Sequence, residues 1–297
     1  MAVQNSLTKR NTKQGLTAYL SQDAVKNQIN SIIGGKNGPR FISSIVSAVQ
    51  ATPALQECTN SSILNAALLG ESLNLSPSPQ LGQYYLVPYD NRNKGVKEAQ
   101  FQMGYKGYIQ LAIRSGQYKK LNVLAIKEGE LIRFDPLNEE IEVRLIEDEL
   151  SREEAKTIGY YAMFEYVNGF RKAMYWSKDK MTAHAKKYSP GYKKDLEKRT
   201  SWTFWAKDFD GMAYKTMLRQ LISKWGIMSI DMASALDADM AVLQDDGKKE
   251  YVEQEAVEVE MQYETVKEPT EIAPEEGQAV RQATKPTGSV EDAFFAD

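Results

Sequence analysis

The sequence predicts an α+β domain: a central antiparallel sheet with a long hairpin, flanked by helices. The middle of the chain, from Leu81 to Trp176, is a series of short segments rich in Tyr, Val, Ile and Phe. These residue types suit a pleated, half-buried surface. On either side, apolar residues recur at helical spacing. Strands gathered in the middle with helices at both ends are not the alternation of a βαβ repeat.

Residues 1–38 are polar and end in Gly34-Gly35-Lys36-Asn37-Gly38. Within them, Leu16 to Ile33 has weak helical periodicity and reads as an arm. Pro39 stands where a helix begins, because its fixed φ suits a first turn. Phe41, Ile42, Ile45, Val46 and Val49 then give an apolar stripe. A second helix fits Ser61 to Leu75, capped by Asn60 or Ser61 and stopped by Ser76-Pro77-Ser78-Pro79, since proline cannot continue the ladder. Leu81 to Tyr89 and Glu98 to Gly104 form strands around a basic tip, Asp90 to Gly95. Tyr105 to Ser115 reads as a helix. Further strands are predicted at Leu121 to Ile126, Leu131 to Phe134, Ile141 to Ile146, Ile158 to Val167 and Arg171 to Trp176. Asn168-Gly169 joins the last two, as both residues tolerate positive φ. Helices follow at Lys178 to Tyr188, Ser201 to Lys207, Asp210 to Trp225 and Ala233 to Leu243.

The charge is segregated. The chain holds 37 Lys and Arg against 40 Asp and Glu. From Asp245 onward there are fifteen acids and five bases, so residues 1–244 carry 32 bases and 25 acids, net +7. A basic body with an acidic tail suggests a polyanion partner. The tail has no apolar period and is expected to be disordered. It closes on Phe294 and Phe295 among carboxylates, a candidate docking motif. The expected divisions are 1–35 as an arm or oligomerisation segment, 36–244 as the core and 245–297 as a partner-binding tail. No apolar leader and no run of roughly 20 apolar residues is present, so a soluble, cytoplasmic protein is expected.

Catalytic chemistry is hard to assemble from these residues. Cys58 is the single cysteine and His184 the single histidine, which leaves no thiolate cluster for a metal. His184 lies among cations that depress its basicity. No nucleophile elbow, zincin helix or phosphate loop is present. The acidic pairs Asp208 with Asp210, Asp237 with Asp239 and Glu140 with Glu142 read as solvated surface. No cofactor is expected.

Binding chemistry is richer. Between Arg171 and Lys224 stand fourteen Lys or Arg against five Asp or Glu, with nine Tyr, Trp or Phe between them and Trp225 just beyond. Cations take phosphates and flat rings take bases. Lys186, Lys187, Lys193, Lys194, Lys198 and Arg199 make a dense basic stretch. Lys215 and Arg219 are four apart, which puts them on one helical stripe. Leu218, Leu221, Ile222 and Trp225 pack on the other face. Core packing is the expected role for at least two of Trp202, Phe204 and Trp205. Lys106, Arg114, Lys119, Lys120 and Lys127 extend the basic set, and Arg92 and Lys94 lie at the hairpin tip.

Several runs together resemble a known family. These are Leu73 to Pro77, Gln83-Tyr84-Tyr85-Leu86-Val87-Pro88-Tyr89, Gln102-Met103-Gly104-Tyr105-Lys106-Gly107-Tyr108-Ile109-Gln110-Leu111-Ala112, Arg114-Ser115-Gly116, Ala213 to Arg219 and Leu221 to Gly226. They resemble the RecT family of phage and prophage single-strand annealing proteins, over roughly residues 35–240. The resemblance implies ATP-independent annealing on an oligomeric ring or helical filament. It also implies two partners, a phage exonuclease and a host single-strand-binding protein. The expected phosphate contacts are Lys106, Arg114, Lys119, Lys120, Lys127, Lys207, Lys215 and Arg219. Lys106, Arg114, Lys215 and Arg219 rest most directly on the resemblance, the others on charge and position. A metal-dependent nuclease and an RNA-binding or virion assembly protein remain open beside it.

Overall fold

The computed structural model describes residues 15–251. The fold is α+β, with antiparallel sheets flanked by helices. Helices α1 (Leu16–Leu20), α2 (Asp23–Ile33), α3 (Gly38–Ala51) and α4 (Asn60–Ser72) come first, with a 3₁₀ turn at Pro53–Glu57 between the last two. Strands β1 (Tyr84–Asn91) and β2 (Val96–Met103) form the hairpin, and α5 (Tyr105–Arg114) follows. Then come β3 (Tyr118–Lys127), β4 (Leu131–Asp135), β5 (Glu140–Val143), α6 (Glu149–Glu154), β6 (Thr157–Tyr166) and β7 (Arg171–Ser177). Helices α7 (Lys178–Tyr188), α8 (Pro190–Lys198), α9 (Phe204–Lys207), α10 (Phe209–Trp225) and α11 (Ile230–Ala238) precede β8 (Ala241–Leu243) and β9 (Lys249–Tyr251).

The strands make a four-stranded sheet in the order β1-β2-β8-β9, a three-stranded sheet β3-β6-β7, and the β4-β5 ribbon. The β1-β2 register runs from Tyr84 opposite Met103 to Asn91 opposite Val96. The tip is therefore shorter than the six residues predicted. Its Lys94 is ion-paired with Glu98 at 3.3 Å and Glu250 at 2.6 Å.

Period-2 alternation explains how each sheet is used. Tyr84, Leu86, Ala99, Phe101 and Met103 point into the main core with α2 to α5. In β6, Tyr160, Ala162, Phe164 and Tyr166 face a second core with α7 to α10. Tyr161 and Met163 face the β4-β5 ribbon. Helix α10 lies between the two main cores. Its Leu218 and Ile222 enter one, while Ala213, Met217 and Leu221 enter the other. A helix with apolar residues all round is a buried helix.

Glycines allow one close approach. The amide of Gly104 donates to the Gln83 carbonyl at 2.9 Å. A Cβ at Gly104 would collide with the Gly82 carbonyl oxygen, and one at Gly107 with that of Gln83. The spacing Gly-Tyr-Lys-Gly thus seats the first turn of α5 against the chain entering β1.

Four expectations change. Leu20, Val25 and Ile29 are buried in the main core, so residues 16–33 pack as part of the body. The cap of α4 is Thr59, and the helix ends at Ser72, with Asn74 at positive φ, before the prolines are reached. The helix predicted over Ala233 to Leu243 stops at Ala238, and Ala241–Leu243 pairs with β2 as a strand. Strand β9 then carries the sheet to Tyr251, past the boundary expected at Gln244. The first fourteen residues, the chain from Val252 on, and with it Phe294 and Phe295, lie outside the described residues.

Candidate nucleic-acid interface

The outer face of the four-stranded sheet floors a groove. Tyr85, Val87 and Tyr89 alternate with the core-facing residues of β1 and so share this face, opposite Gln102, Gln100 and Glu98 of β2. The other wall comes from the α7-α8 turn, with Tyr188 and Ser189, and from the segment carrying Trp202, Phe204, Trp205 and Lys207. The groove encloses about 530 Å³. Tyr85 and Phe204 approach across it, ring centroids 5.6 Å apart.

One carboxylate fixes the second wall. Asp195 on α8 accepts from the Thr200 hydroxyl at 2.6 Å, the Trp202 amide at 3.0 Å, and the Thr203 amide and hydroxyl, each at 2.8 Å. The Thr200 hydrogen bond leads the set that holds its carboxyl far below the usual carboxylate range, against the opposing effect of burial. Trp202 stands 81% exposed on this pinned loop, while Trp205 is buried. Phe204 is also exposed, so one aromatic of the three is core, where at least two were expected.

The predicted cations separate into groups. Lys207 lines the groove. Lys106 is exposed on α5, its side chain running past Gly82, which also touches the Tyr85 hydroxyl. Lys106 thus neighbours Tyr85 of the floor, and Lys207 belongs to the second wall. Lys186, Lys193, Lys194, Lys198 and Arg199 are exposed on the neighbouring α7 and α8. Lys119 and Lys120 lie at the start of β3, where Glu165 meets them at 2.7 and 3.6 Å. Lys127, at the other end of that strand, donates to the Thr157 hydroxyl at 3.2 Å. At about 3.3 Å per residue, Lys120 and Lys127 are roughly 23 Å apart. The Arg114 guanidinium donates to the Leu73 carbonyl at 2.6 Å, just beyond the end of α4.

Lys215 and Arg219 correct the expectation of a free cation stripe. They are 3% and 8% exposed. Both reach Asp239, which is 2% exposed, at 3.0 and 2.9 Å. The carboxylate also accepts from the Met103 amide at 2.8 Å and the Tyr108 hydroxyl at 2.9 Å. Burial alone would push the Asp239 carboxyl up; Lys215, Arg219 and the Met103 amide outweigh it and hold it low. Asp239 is therefore not the solvated acid predicted. The cluster ties α10 to β2, α5 and the start of β8. The helical spacing of the two cations was right, but α10 has packed neighbours on that face too.

Residue-by-residue charge reading missed the ring-bearing face of β1. Its signal was the alternation of Tyr85, Val87 and Tyr89 beside the core positions Tyr84 and Leu86. Among the described residues, no three His, Cys, Asp or Glu side chains converge as a metal site. No helix there is long and apolar enough to cross a membrane.

The RecT family model matches residues 39–272. The chain is 39% identical over 242 residues to the uncharacterized protein YqaK of Bacillus subtilis, covering 79% of this chain and 78% of that one. It is 27% identical over 225 residues to protein RecT of Escherichia coli, covering 75% of this chain and 79% of that one.

Proposed function

We propose, from the premise that this chain belongs to the RecT family, that it binds single-stranded DNA and anneals complementary strands without ATP. Membership of that family supports a role in recombination and annealing. The finer reading places it in phage homologous recombination, as an oligomeric ring or helical filament in the cytoplasm of a bacterial host. A phage exonuclease and a host single-strand-binding protein are its proposed partners. The acidic tail beyond Tyr251 is the proposed partner-binding segment.

The observation that carries this reading is the groove, with its aromatic floor, Lys207 in its wall and Lys106 beside Tyr85. Such a surface suits a strand whose backbone is charged and whose side groups are flat. Lys106, Lys207 and the exposed cations of α7 and α8 hold phosphates in the proposed arrangement. Lys119, Lys120 and Lys127 form a second contact region along β3. Arg114, Lys215 and Arg219 serve the fold that positions these surfaces. Neutralising both backbones lowers their mutual repulsion, and base pairing supplies the specificity. The mechanism involves no bond chemistry.

The test is annealing of complementary oligonucleotides by the full chain, without nucleotide or divalent ion, with electron micrographs of the product. Faster annealing and ordered oligomers are expected. Cleavage dependent on divalent ions, or preference for RNA without annealing, would overturn the reading.

A further inference from the structure

Two features of the groove have no part in a grip made through phosphates alone. The first is Trp202. It is 81% exposed, yet its loop is fastened at Thr200, Trp202 and Thr203 by the buried Asp195. A large ring held in solvent on a fixed backbone is prepared for contact, because less freedom is lost when a ligand arrives. The second is Trp205. It is 3% exposed and lines the same groove, and its indole Nε1–H has no acceptor among the described residues. That nitrogen is shielded from solvent, so what Trp205 offers the groove is a flat apolar wall and not a reachable donor.

We propose that the groove takes unpaired bases of the bound strand, with Trp202 as a stacking platform and the Trp205 ring as part of the wall behind it. Asp195 is then a positioning residue. The proposal rests on the single-strand reading above and deepens it. The occupant follows from the chemistry: Lys207 in the wall and Lys106 beside Tyr85 match a phosphate backbone, and Tyr85, Tyr89, Tyr188 and Phe204 add rings along the floor and wall. Stacking covers the flat face of a base and leaves its pairing edge open. A base held this way still tests a complementary strand. Every base has such a face, so the site is tolerant of sequence.

The experiment compares binding of the full chain to two oligonucleotides of equal length and phosphate count. One is mixed-sequence DNA and the other carries abasic residues throughout. The wild type should bind the abasic strand at least about tenfold more weakly, from the usual strength of base–aromatic stacking. Trp202→Ala should narrow that gap, and Trp202→Phe should keep most of it. Asp195→Asn should narrow the gap while leaving the salt dependence unchanged, which general loss of structure would not do. Thr200→Val, which removes one of the loop's bonds, should act in the same direction more weakly. Tryptophan fluorescence should be quenched by the normal strand and not by the abasic one. Equal wild-type affinity for both strands, or a gap unchanged in Trp202→Ala, would overturn the proposal and leave the phosphate-based reading standing. Binding to neither strand would overturn both.

Discussion

Replacing Asp239 by Asn keeps the shape of the side chain and removes its charge. Two buried cations, Lys215 and Arg219, then both lose their ion pair with Asp239. Breaking a buried pair by removing one partner costs about 3–5 kcal/mol. In a domain of this size each kcal/mol lowers the melting temperature by about 2–4 °C, so the midpoint should fall by about 6–20 °C. Lys215→Met follows the opposite logic. Losing Lys215 leaves the Arg219–Asp239 ion pair in place at 2.9 Å. The cost should be about 1.5–3 kcal/mol, the scale of one charged hydrogen bond. Combining Asp239→Asn with Lys215→Met should recover part of the loss, because Lys215 is then no longer a buried ammonium deprived of Asp239. Thermal and urea unfolding at neutral pH, followed by circular dichroism, measure all three variants. A midpoint for Asp239→Asn within about 2 °C of wild type would refute the argument. So would a double variant no more stable than Asp239→Asn alone. The same burial predicts that Lys215→Glu and Arg219→Glu fail to fold, whereas on an exposed stripe they would fold and lose only binding.

Gly107→Ala should destabilise by about 1–3 kcal/mol, the usual cost of overpacking, because its methyl meets the Gln83 carbonyl oxygen; chemical denaturation reads this directly. His184, between the Trp176 and Tyr188 rings, has its pKa lowered from 6.5 to about 4 by burial, with Lys187, Arg219 and Lys180 adding to the effect. The unfolded chain therefore binds this proton first. Its contribution to stability is complete above pH 6.5 and is lost between there and about pH 4. At about 1.4 kcal/mol per unit the full loss is about 3 kcal/mol, and His184→Phe should flatten stability against pH over that window. Single-strand affinity should fall with salt by roughly 0.7 in log–log slope per phosphate neutralised. Lys106→Gln and Lys207→Gln should each reduce that slope, and unchanged slopes would remove them from the interface.

The strands were legible because β6 and β7 are runs of Tyr, Met, Phe and Trp that favour strands and meet at Asn168-Gly169, signals that depend only on neighbours in sequence. Helix α8 was not. Its start carries the local signature of Ser189 capping and Pro190 in the first turn. But Tyr192 is its one buried apolar side chain, and the surrounding lysines read as a solvated run. The short β8 and β9 exist only because β2 offers an edge to pair with. The site divided in the same way. Lysines could be counted in sequence, whereas their exposure is set by distant elements. Asp239 takes its donors from residues 20, 24, 131 and 136 positions away. No local pattern separates such an acid from one in a tail.

The pairing of β2 with β8 also sets an order of events for the nascent chain. Gln100 meets the Met240 carbonyl across 140 residues, so the four-stranded sheet stays a bare hairpin until nearly all of the described chain has left the ribosome. During that interval Phe101 and Gln100 present an open strand edge, and α10 carries its cations before Asp239 exists to receive them. Contacts of such long sequence separation close slowly and leave edges exposed to wrong partners. A premature stop between Trp225 and Asp239 would thus release a chain with the groove wall and α10 synthesised but Lys215 and Arg219 without Asp239, suited to aggregation or degradation and not to partial function.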